Sequence, residues 1–132
     1  MALEQTTRID ILQGKTVLVI DDEIDTCKIL ATGLKLLGFE TDFALSALQA
    51  FQKMQADAPN AVVLDLMMPD ADGYEVMRRM RANPATASLP IVVLSATADP
   101  QAEEKSKKTG ANVFLYKPVS IQVLGDIIKE LT

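Results

Sequence analysis

The sequence predicts one α/β domain in which a parallel β-sheet is covered by helices on both faces. A chain of 132 residues has room for one domain and hardly for a second. Short, continuous runs of β-branched residues are typical of strands that are buried on both faces of a sheet. Segments with apolar residues at helical spacing follow these runs, so that strand and helix alternate five times along the chain.

Four apolar runs are predicted to be fully buried strands, because they are continuous, rich in β-branched residues and too short for helices. They are Thr16 to Ile20, Ala61 to Leu64, Ile91 to Leu94 and Val113 to Tyr116. A fifth run, Phe39 to Phe43, is weaker and mixed in polarity, which is typical of an edge strand.

The first helix is predicted from an apolar stripe that ends before Gly38, a residue that commonly terminates helices. Its apolar positions are Ile24, Cys27, Ala31, Leu34 and Leu37. Because Cys27 lies on this stripe, we expect it in the core. The second and the last helix are expected to begin after Ser46 and Ser120, which serve as N-caps. Their apolar stripes consist of Leu48, Phe51 and Met54, and of Ile121, Leu124, Ile128 and Leu131.

The fourth helix is predicted over Asp99 to Thr109 and has few apolar residues. Its positive charges lie near its end, where the helix dipole favours them, and Gly110 follows as a stop. These charges are Lys105, Lys107 and Lys108. Residues 1–14 are polar and mixed, and we interpret them as an N-terminal extension to a domain over residues 15–132.

Charge and composition exclude several classes of protein. The net charge of −5 and the pI of about 4.6 disfavour direct nucleic-acid binding, since that affinity depends on basic side chains. No apolar run approaches the roughly 20 residues of a membrane span, and the N-terminus lacks the pattern of a secretion signal. We therefore expect a cytoplasmic protein. The absence of histidine excludes a Ser/His/Asp triad, a Cys/His nucleophile and an imidazole metal site.

Polar residues that suit phosphate chemistry end the buried strands. In open parallel sheets, ligands bind beyond the carboxyl ends of the strands, where we find Asp21, Asp22, Asp65, Ser95 and Lys117. Each alone is consistent with a helix cap, a loop hydroxyl or a surface charge. Together they favour a shared site, in which one lysine and one Mg²⁺ balance three carboxylates. Such a site contains the groups that move a phosphoryl group.

These residues stand in motifs that resemble the receiver domain of two-component response regulators. The resemblance covers about residues 15–131 and is carried by VLVIDDE, VVLDLMMPDADGYE, IVVLSA and GANVFLYKP, in that order and each at a strand end. It implies a flavodoxin-like, doubly wound sheet of five parallel strands in the order 2-1-3-4-5, with five helices. It also implies a cis peptide bond between Lys117 and Pro118.

The resemblance further implies that Asp65 accepts a phosphoryl group from a sensor histidine kinase or a histidine phosphotransfer protein. Asp21, Asp22, Asp65 and the backbone carbonyl of Met67 would hold Mg²⁺. The implied partners also include a downstream effector or output domain. A homodimer through the face of the fourth helix, fifth strand and fifth helix is a further expectation.

Ser95 and Lys117 would engage the phosphoryl oxygens, and the implied conformational switch consists of Ser95 and Phe114. Because phenylalanine lacks a hydroxyl, Phe114 could act only through burial of its ring, and a permanent core residue is the alternative. The function expected is a phosphorylation switch and not an enzyme. Two alternatives remain, a docking module that is not phosphorylated and a small Mg²⁺-dependent phosphatase. The phosphatase is disfavoured because Met67 stands where such enzymes have an acidic residue.

Overall fold

The structure is a computed structural model, and it describes residues 14–68, 71–97 and 99–132. Within these ranges, five strands form one sheet: β1 (Thr16–Ile20), β2 (Glu40–Ala44), β3 (Ala61–Asp65), β4 (Ile91–Ser95) and β5 (Val113–Tyr116). The extension predicted over residues 1–14 lies outside the described residues, apart from Gly14.

The sheet is entirely parallel and has the strand order β2-β1-β3-β4-β5, which confirms the doubly wound, flavodoxin-like prediction. In this register, Asp65 is the partner of Leu94, and Ser95 is the partner of Tyr116. The polar residues that end the strands therefore meet at one edge of the sheet.

The described residues contain five helices, as predicted, of which the first four connect successive strands and the fifth follows β5: α1 (Ile24–Leu36), α2 (Ala47–Ala56), α3 (Gly73–Ala82), α4 (Pro100–Thr109) and α5 (Ile121–Leu131). Both predicted N-caps are confirmed, since the hydroxyl of Ser46 accepts from the Gln49 amide at 3.2 Å and that of Ser120 from the Val123 amide at 3.3 Å. Gly110 ends α4 with a φ of 143°, a conformation that glycine adopts without strain.

The core consists of two layers, one on each face of the sheet. On one face, α1 and α5 cover alternate residues of the central strands through Leu34 and Ile128. On the other face, α2, α3 and α4 contribute Met54, Met77 and Ala102. The strand side chains point alternately to the two layers, so the continuous apolar runs are explained by burial on both faces.

Two predictions about burial were wrong. The run Val113 to Tyr116 is not fully buried, because β5 is the other edge of the sheet and the side chain of Tyr116 is 45% exposed. On the helices, Ile24 and Leu48 are exposed, although both belong to predicted apolar stripes. Each stands in the first turn of its helix, and the buried stripe begins with later residues such as Cys27 and Ala50.

The connection from β3 to α3 brings two short segments close together. Met67–Met68 pairs antiparallel with Ala71–Asp72, and the Gly73 amide donates to the Leu66 carbonyl at 3.1 Å. A Cβ atom at position 73 would lie 2.7 Å from that carbonyl oxygen, so the start of α3 requires glycine. The Asp72 carboxylate caps the helix by accepting from the Tyr74 amide. This packing holds the backbone beside Asp65.

Among the described residues, none of the helices has the length and apolar character needed to cross a bilayer.

Candidate functional site

Three carboxylates form an acidic cluster beyond the ends of β1 and β3. One oxygen each of Asp21, Asp22 and Asp65 lies within 4.8 Å of the others. Asp21 and Asp65 are buried, with 2% and 8% of their surface exposed, whereas Asp22 is partly exposed. The cluster forms because β1 and β3 are adjacent parallel strands that end at the same level.

The backbone around Asp21 fixes the position of this side chain. Its Oδ1 accepts from the Glu23 amide at 3.0 Å, and its own amide donates to the Ala44 carbonyl on β2. The thiol of Cys27 donates to the Asp21 carbonyl, with 3.3 Å between sulfur and oxygen. Burial and the nearby Asp21 carboxylate raise the pKa of Cys27 to about 11, so this thiol stays protonated and is a core residue, as expected.

Lys117 lies between two of the carboxylates. Its Nζ is 3.4 Å from Asp21 Oδ2 and 3.4 Å from Asp65 Oδ1. Burial lowers the pKa of the Lys117 ammonium, but the charges of Asp65 and Asp21 outweigh that effect and raise the pKa above its ordinary value. The backbone amide of Lys117 donates to the Ser95 carbonyl at 2.8 Å, and the bond to Pro118 is cis, as predicted.

The site remains short of positive charge. Burial and the neighbouring Asp21 raise the pKa of Asp65, against the opposing effects of Lys117 and of the Met67 amide, which donates to Asp65 Oδ1 at 3.4 Å. One ammonium therefore does not compensate the three carboxylates. Hard oxygen ligands around uncompensated negative charge suit Mg²⁺, so the residues present fit the metal implied by the resemblance.

The hydroxyl and aromatic residues lie on β4 and β5, next to this cluster. Ser95 is completely buried, and its Oγ accepts from the Thr97 amide at 3.2 Å. Phe114 is also buried and meets the ring of Tyr116 edge to face, with 5.2 Å between the ring centroids. The Tyr116 hydroxyl donates to Glu103 on α4 at 3.1 Å.

Met67 lies at the rim of the site with its side chain 69% exposed. Its amide, together with that of Glu23, supplies backbone donors to the carboxylates. Sequence reasoning missed both donors, because an amide is present at nearly every position and leaves no mark in the sequence. Sequence reasoning also missed that Gly73 is required where the start of α3 approaches the backbone of Leu66. Its position after the acidic loop was a usable signal for such a close backbone approach.

Comparison with known proteins identifies the family of this chain. The family model described as "Response regulator receiver domain" matches residues 17–129. The phosphate regulon transcriptional regulatory protein PhoB of Rhizobium meliloti is 33% identical over 113 residues, which are 86% of this chain and 50% of that protein. The sensor protein EvgS of Escherichia coli K12 is 33% identical over 116 residues, 88% of this chain and 10% of that protein. The chain thus spans about half the length of the curated transcriptional regulators it matches.

Solved structures show the same fold. The Vibrio cholerae chemotaxis protein CheY4 has a TM-score of 0.83 at 25% identity, covering 89% of this chain and 98% of its own. The receiver domain of the Francisella response regulator 1452 has a TM-score of 0.82 at 26% identity, covering 89% and 96%. With the family model spanning nearly the whole described domain, the chain belongs to the response regulator receiver domain family.

Proposed function

We propose that this receiver domain accepts a phosphoryl group on Asp65 from the phosphohistidine of a sensor histidine kinase or a histidine phosphotransfer protein. The observation that carries the proposal is the position of Lys117 Nζ, 3.4 Å from both Asp65 and Asp21, in a site with three carboxylates and one ammonium. Such a site is short of positive charge without a cation, and suits a phosphoryl group that arrives together with one.

The transfer requires one nucleophile and groups that bind the phosphoryl oxygens. A carboxylate oxygen of Asp65 attacks the phosphorus, and the nitrogen–phosphorus bond of the donor breaks. The departing imidazole nitrogen keeps the electron pair, and an aspartyl phosphate forms on this chain. The Lys117 ammonium binds one phosphoryl oxygen, and the Ser95 hydroxyl donates to another.

Mg²⁺ would be held by Asp21, Asp22, Asp65 and the backbone carbonyl of Met67. When bound, it would supply the positive charge that stabilises the phosphoryl oxygens during transfer. The backbone amides of Glu23 and Met67 keep the carboxylates of Asp21 and Asp65 oriented.

The proposed output is a change of conformation at β4, β5 and α4 that a partner protein reads. Ser95 would follow the phosphoryl group, and Phe114 would change the burial of its ring. The relatives that support an output domain include a transcriptional regulator and a sensor protein, both longer than this chain. A cytoplasmic location accords with a kinase as the phosphoryl donor.

A homodimer through α4, β5 and α5 is the proposed assembly. Two exposed apolar side chains on this face, Tyr116 and Val123, support it, because apolar side chains are common in the centre of protein interfaces. Of the alternatives, a module without phosphorylation is disfavoured because every residue of the proposed site is present. A phosphatase is disfavoured because Met67 cannot donate a proton.

The test of phosphorylation is incubation of the chain with acetyl phosphate and Mg²⁺, followed by intact-mass measurement. We expect one added phosphoryl group, and none on the variant Asp65→Asn, which keeps the size of the side chain. Asp57→Asn, at an exposed position, is the matched control and should still be labelled. Undiminished labelling of Asp65→Asn would overturn the assignment.

Metal binding is tested separately by calorimetric titration with Mg²⁺. The variant Asp22→Asn should weaken binding at least tenfold, because it removes a charged oxygen from the cluster. Asp25→Asn, in the first turn of α1 and outside the cluster, should leave the affinity unchanged. Equal affinities for Asp22→Asn and the unmodified chain would contradict the proposed ligands.

A further inference from the structure

A groove lies at the opposite edge of the sheet from Asp65, between the C-terminal ends of α2 and α3. It has a volume of about 570 Å³, within the range of small-molecule sites. Its lining includes Phe51, Met54, Gln55, Arg79, Asn83 and Thr86. None of these residues belongs to the phosphorylation site.

The groove is lined by apolar and polar side chains in about equal measure. Phe51 is half-buried and Ala58 and Ala85 are exposed, so these three residues offer the apolar part of the lining, whereas Met54 is almost completely buried. Gln55 and Asn83 carry the amide groups of the lining.

Arg79 supplies the charge of the groove and has no acidic partner among the described residues. Its guanidinium carbon lies 4.0 Å from the centroid of the Phe51 ring, a cation–π contact that holds it at the groove. The other arginines of α3 are engaged, since Arg78 pairs with Glu75 at 3.0 Å and Arg81 donates to four oxygen atoms. Within the described part of the chain, no side-chain hydrogen bond or ion pair engages the Arg79 guanidinium, so its N–H groups can donate to an anion.

The wall formed by the segment after α3 is rigidly held. The Asn83 side chain accepts from the Ala85 amide at 3.0 Å, and the Thr86 hydroxyl donates to the Met80 carbonyl at 2.7 Å. Arg81 holds the same segment further along by donating to the Ala87 and Leu89 carbonyls. The groove is thus formed before any ligand binds, which lowers the entropic cost of binding.

We propose that this groove binds a small molecule in which one carboxylate is attached to a flat apolar body. The carboxylate would accept from the Arg79 guanidinium, which matches its planar, two-oxygen geometry. The apolar body would lie against Phe51 and the exposed Ala58 and Ala85. A singly charged carboxylate is favoured over a phosphate, because the chain's net charge of −5 repels a multiply charged anion more strongly.

The test uses 3-phenylpropionate as the probe, in an NMR titration of the intact, isotope-labelled chain. We expect saturable shifts at the amides of Met54, Gln55, Asn83 and Thr86, with a Kd of about 1 mM, as is reasonable for a ligand of this size. The neutral analogue 3-phenylpropionamide should bind about tenfold more weakly, since it lacks the charge that pairs with arginine.

Two variants distinguish specific binding at the groove from nonspecific electrostatic attraction of the anionic probe to the protein. Arg79→Gln should weaken the binding of 3-phenylpropionate about tenfold, and Arg78→Gln, on the neighbouring position, should leave it unchanged. Both positions are exposed, and the amide spectrum of each variant reports whether the fold is retained.

Three results would overturn the proposal. One is the absence of saturable shifts at the groove, and another is equal affinity for the intact chain and a folded Arg79→Gln. The third is an at least tenfold tighter binding of N-acetyl-aspartyl-phenylalanine amide, which would assign the groove to a protein partner. Because Arg79 lies outside the phosphorylation site, failure here leaves the proposed function unaffected.

Discussion

Two partly buried cations, Lys117 and Arg81, lie at opposite edges of the sheet. Lys117 contacts carboxylates, whereas Arg81 contacts neutral oxygen atoms. At the carboxyl-terminal edge, Lys117 faces two carboxylates, each at 3.4 Å. At the amino-terminal edge, Arg81 donates to neutral oxygens: the carbonyls of Ala87 and Leu89 at 2.9 and 2.7 Å, that of Gly110 at 2.7 Å, and the Asn112 side chain at 3.2 Å.

The difference is consistent with a structural role for the amino-terminal edge and with the chemistry proposed for the carboxyl-terminal edge. Burial lowers the pKa of Arg81, since its neutral partners do not compensate the lost hydration, whereas the carboxylates raise the pKa of Lys117. Arg81 joins α3 to the segment that follows it and to the distant turn at Gly110. Gly110 accommodates the arginine, because a Cβ there would lie 2.9 Å from its side chain. The Lys117 edge keeps uncompensated negative charge, which a stable fold alone does not require.

The largest expected effect is the loss of phosphorylation in Lys117→Met. Removing the ammonium should slow labelling by acetyl phosphate by about 100-fold, equivalent to roughly 2.7 kcal/mol of transition-state stabilisation. The intact mass of samples quenched at successive times gives the rate of labelling. The control Lys35→Met, at an exposed position on α1, should label normally. If the two variants label equally fast, Lys117 has no role in the transfer, and the chemical role proposed for the carboxyl-terminal edge is wrong.

Arg81→Ala should mainly reduce stability. It leaves partly buried carbonyls without donors, so we expect the free energy of unfolding to fall by about 2–3 kcal/mol, measured by urea denaturation. The control Arg78→Ala removes only an exposed ion pair and should change it by less than about 0.5 kcal/mol. A similarly small loss for Arg81→Ala would show that the amino-terminal edge does not depend on this side chain.

Asp65→Asn should increase the stability of the metal-free protein at neutral pH by about 1 kcal/mol. That gain is a fraction of the roughly 4 kcal/mol between two unit charges 4 Å apart at an effective dielectric of 20. Because the pKa of Asp65 is raised in the folded state, its ionised form destabilises the fold fully above the folded pKa. The advantage of Asp65→Asn should therefore disappear as the pH falls through that value.

This pH dependence is measured by urea denaturation of both proteins over a pH series. Asp57→Asn, which removes one exposed carboxylate outside the site, controls for the change in net charge. An advantage of Asp65→Asn that grows toward low pH would contradict the raised pKa and the charge imbalance inferred for this edge.

The smallest expected effect concerns how long the aspartyl phosphate lasts. Met67 is exposed beside Asp65 and cannot orient a water molecule, whereas Met67→Asn supplies a donor and an acceptor and should speed hydrolysis several-fold. Met67→Leu, which has neither group, should leave the decay unchanged. The decay of the phosphorylated mass over time gives both rates, and a slower decay of Met67→Asn would show that this position does not limit access of water.

Much of the fold was predictable because its signals are local. The strands were recognisable from short β-branched runs, and the helix starts from Ser46 and Ser120, whose caps involve amides only three residues away. The polar residues at the strand ends were recognisable by type. That they form one cluster followed from parallel strand order, which was implied by the resemblance and is observed in the sheet.

What only the tertiary structure decided depends on contacts between distant residues. The exposure of β5 follows from the strand's position at the edge of the sheet, and its apolar sequence does not reveal that position. The two cations are alike in this respect. Lys117 meets Asp21 from 96 residues away and Arg81 meets Gly110 from 29 residues away. The sequence by itself determined that both positions carry charge, but whether a cation meets carboxylates or carbonyls depends on which backbone segments pack beside it.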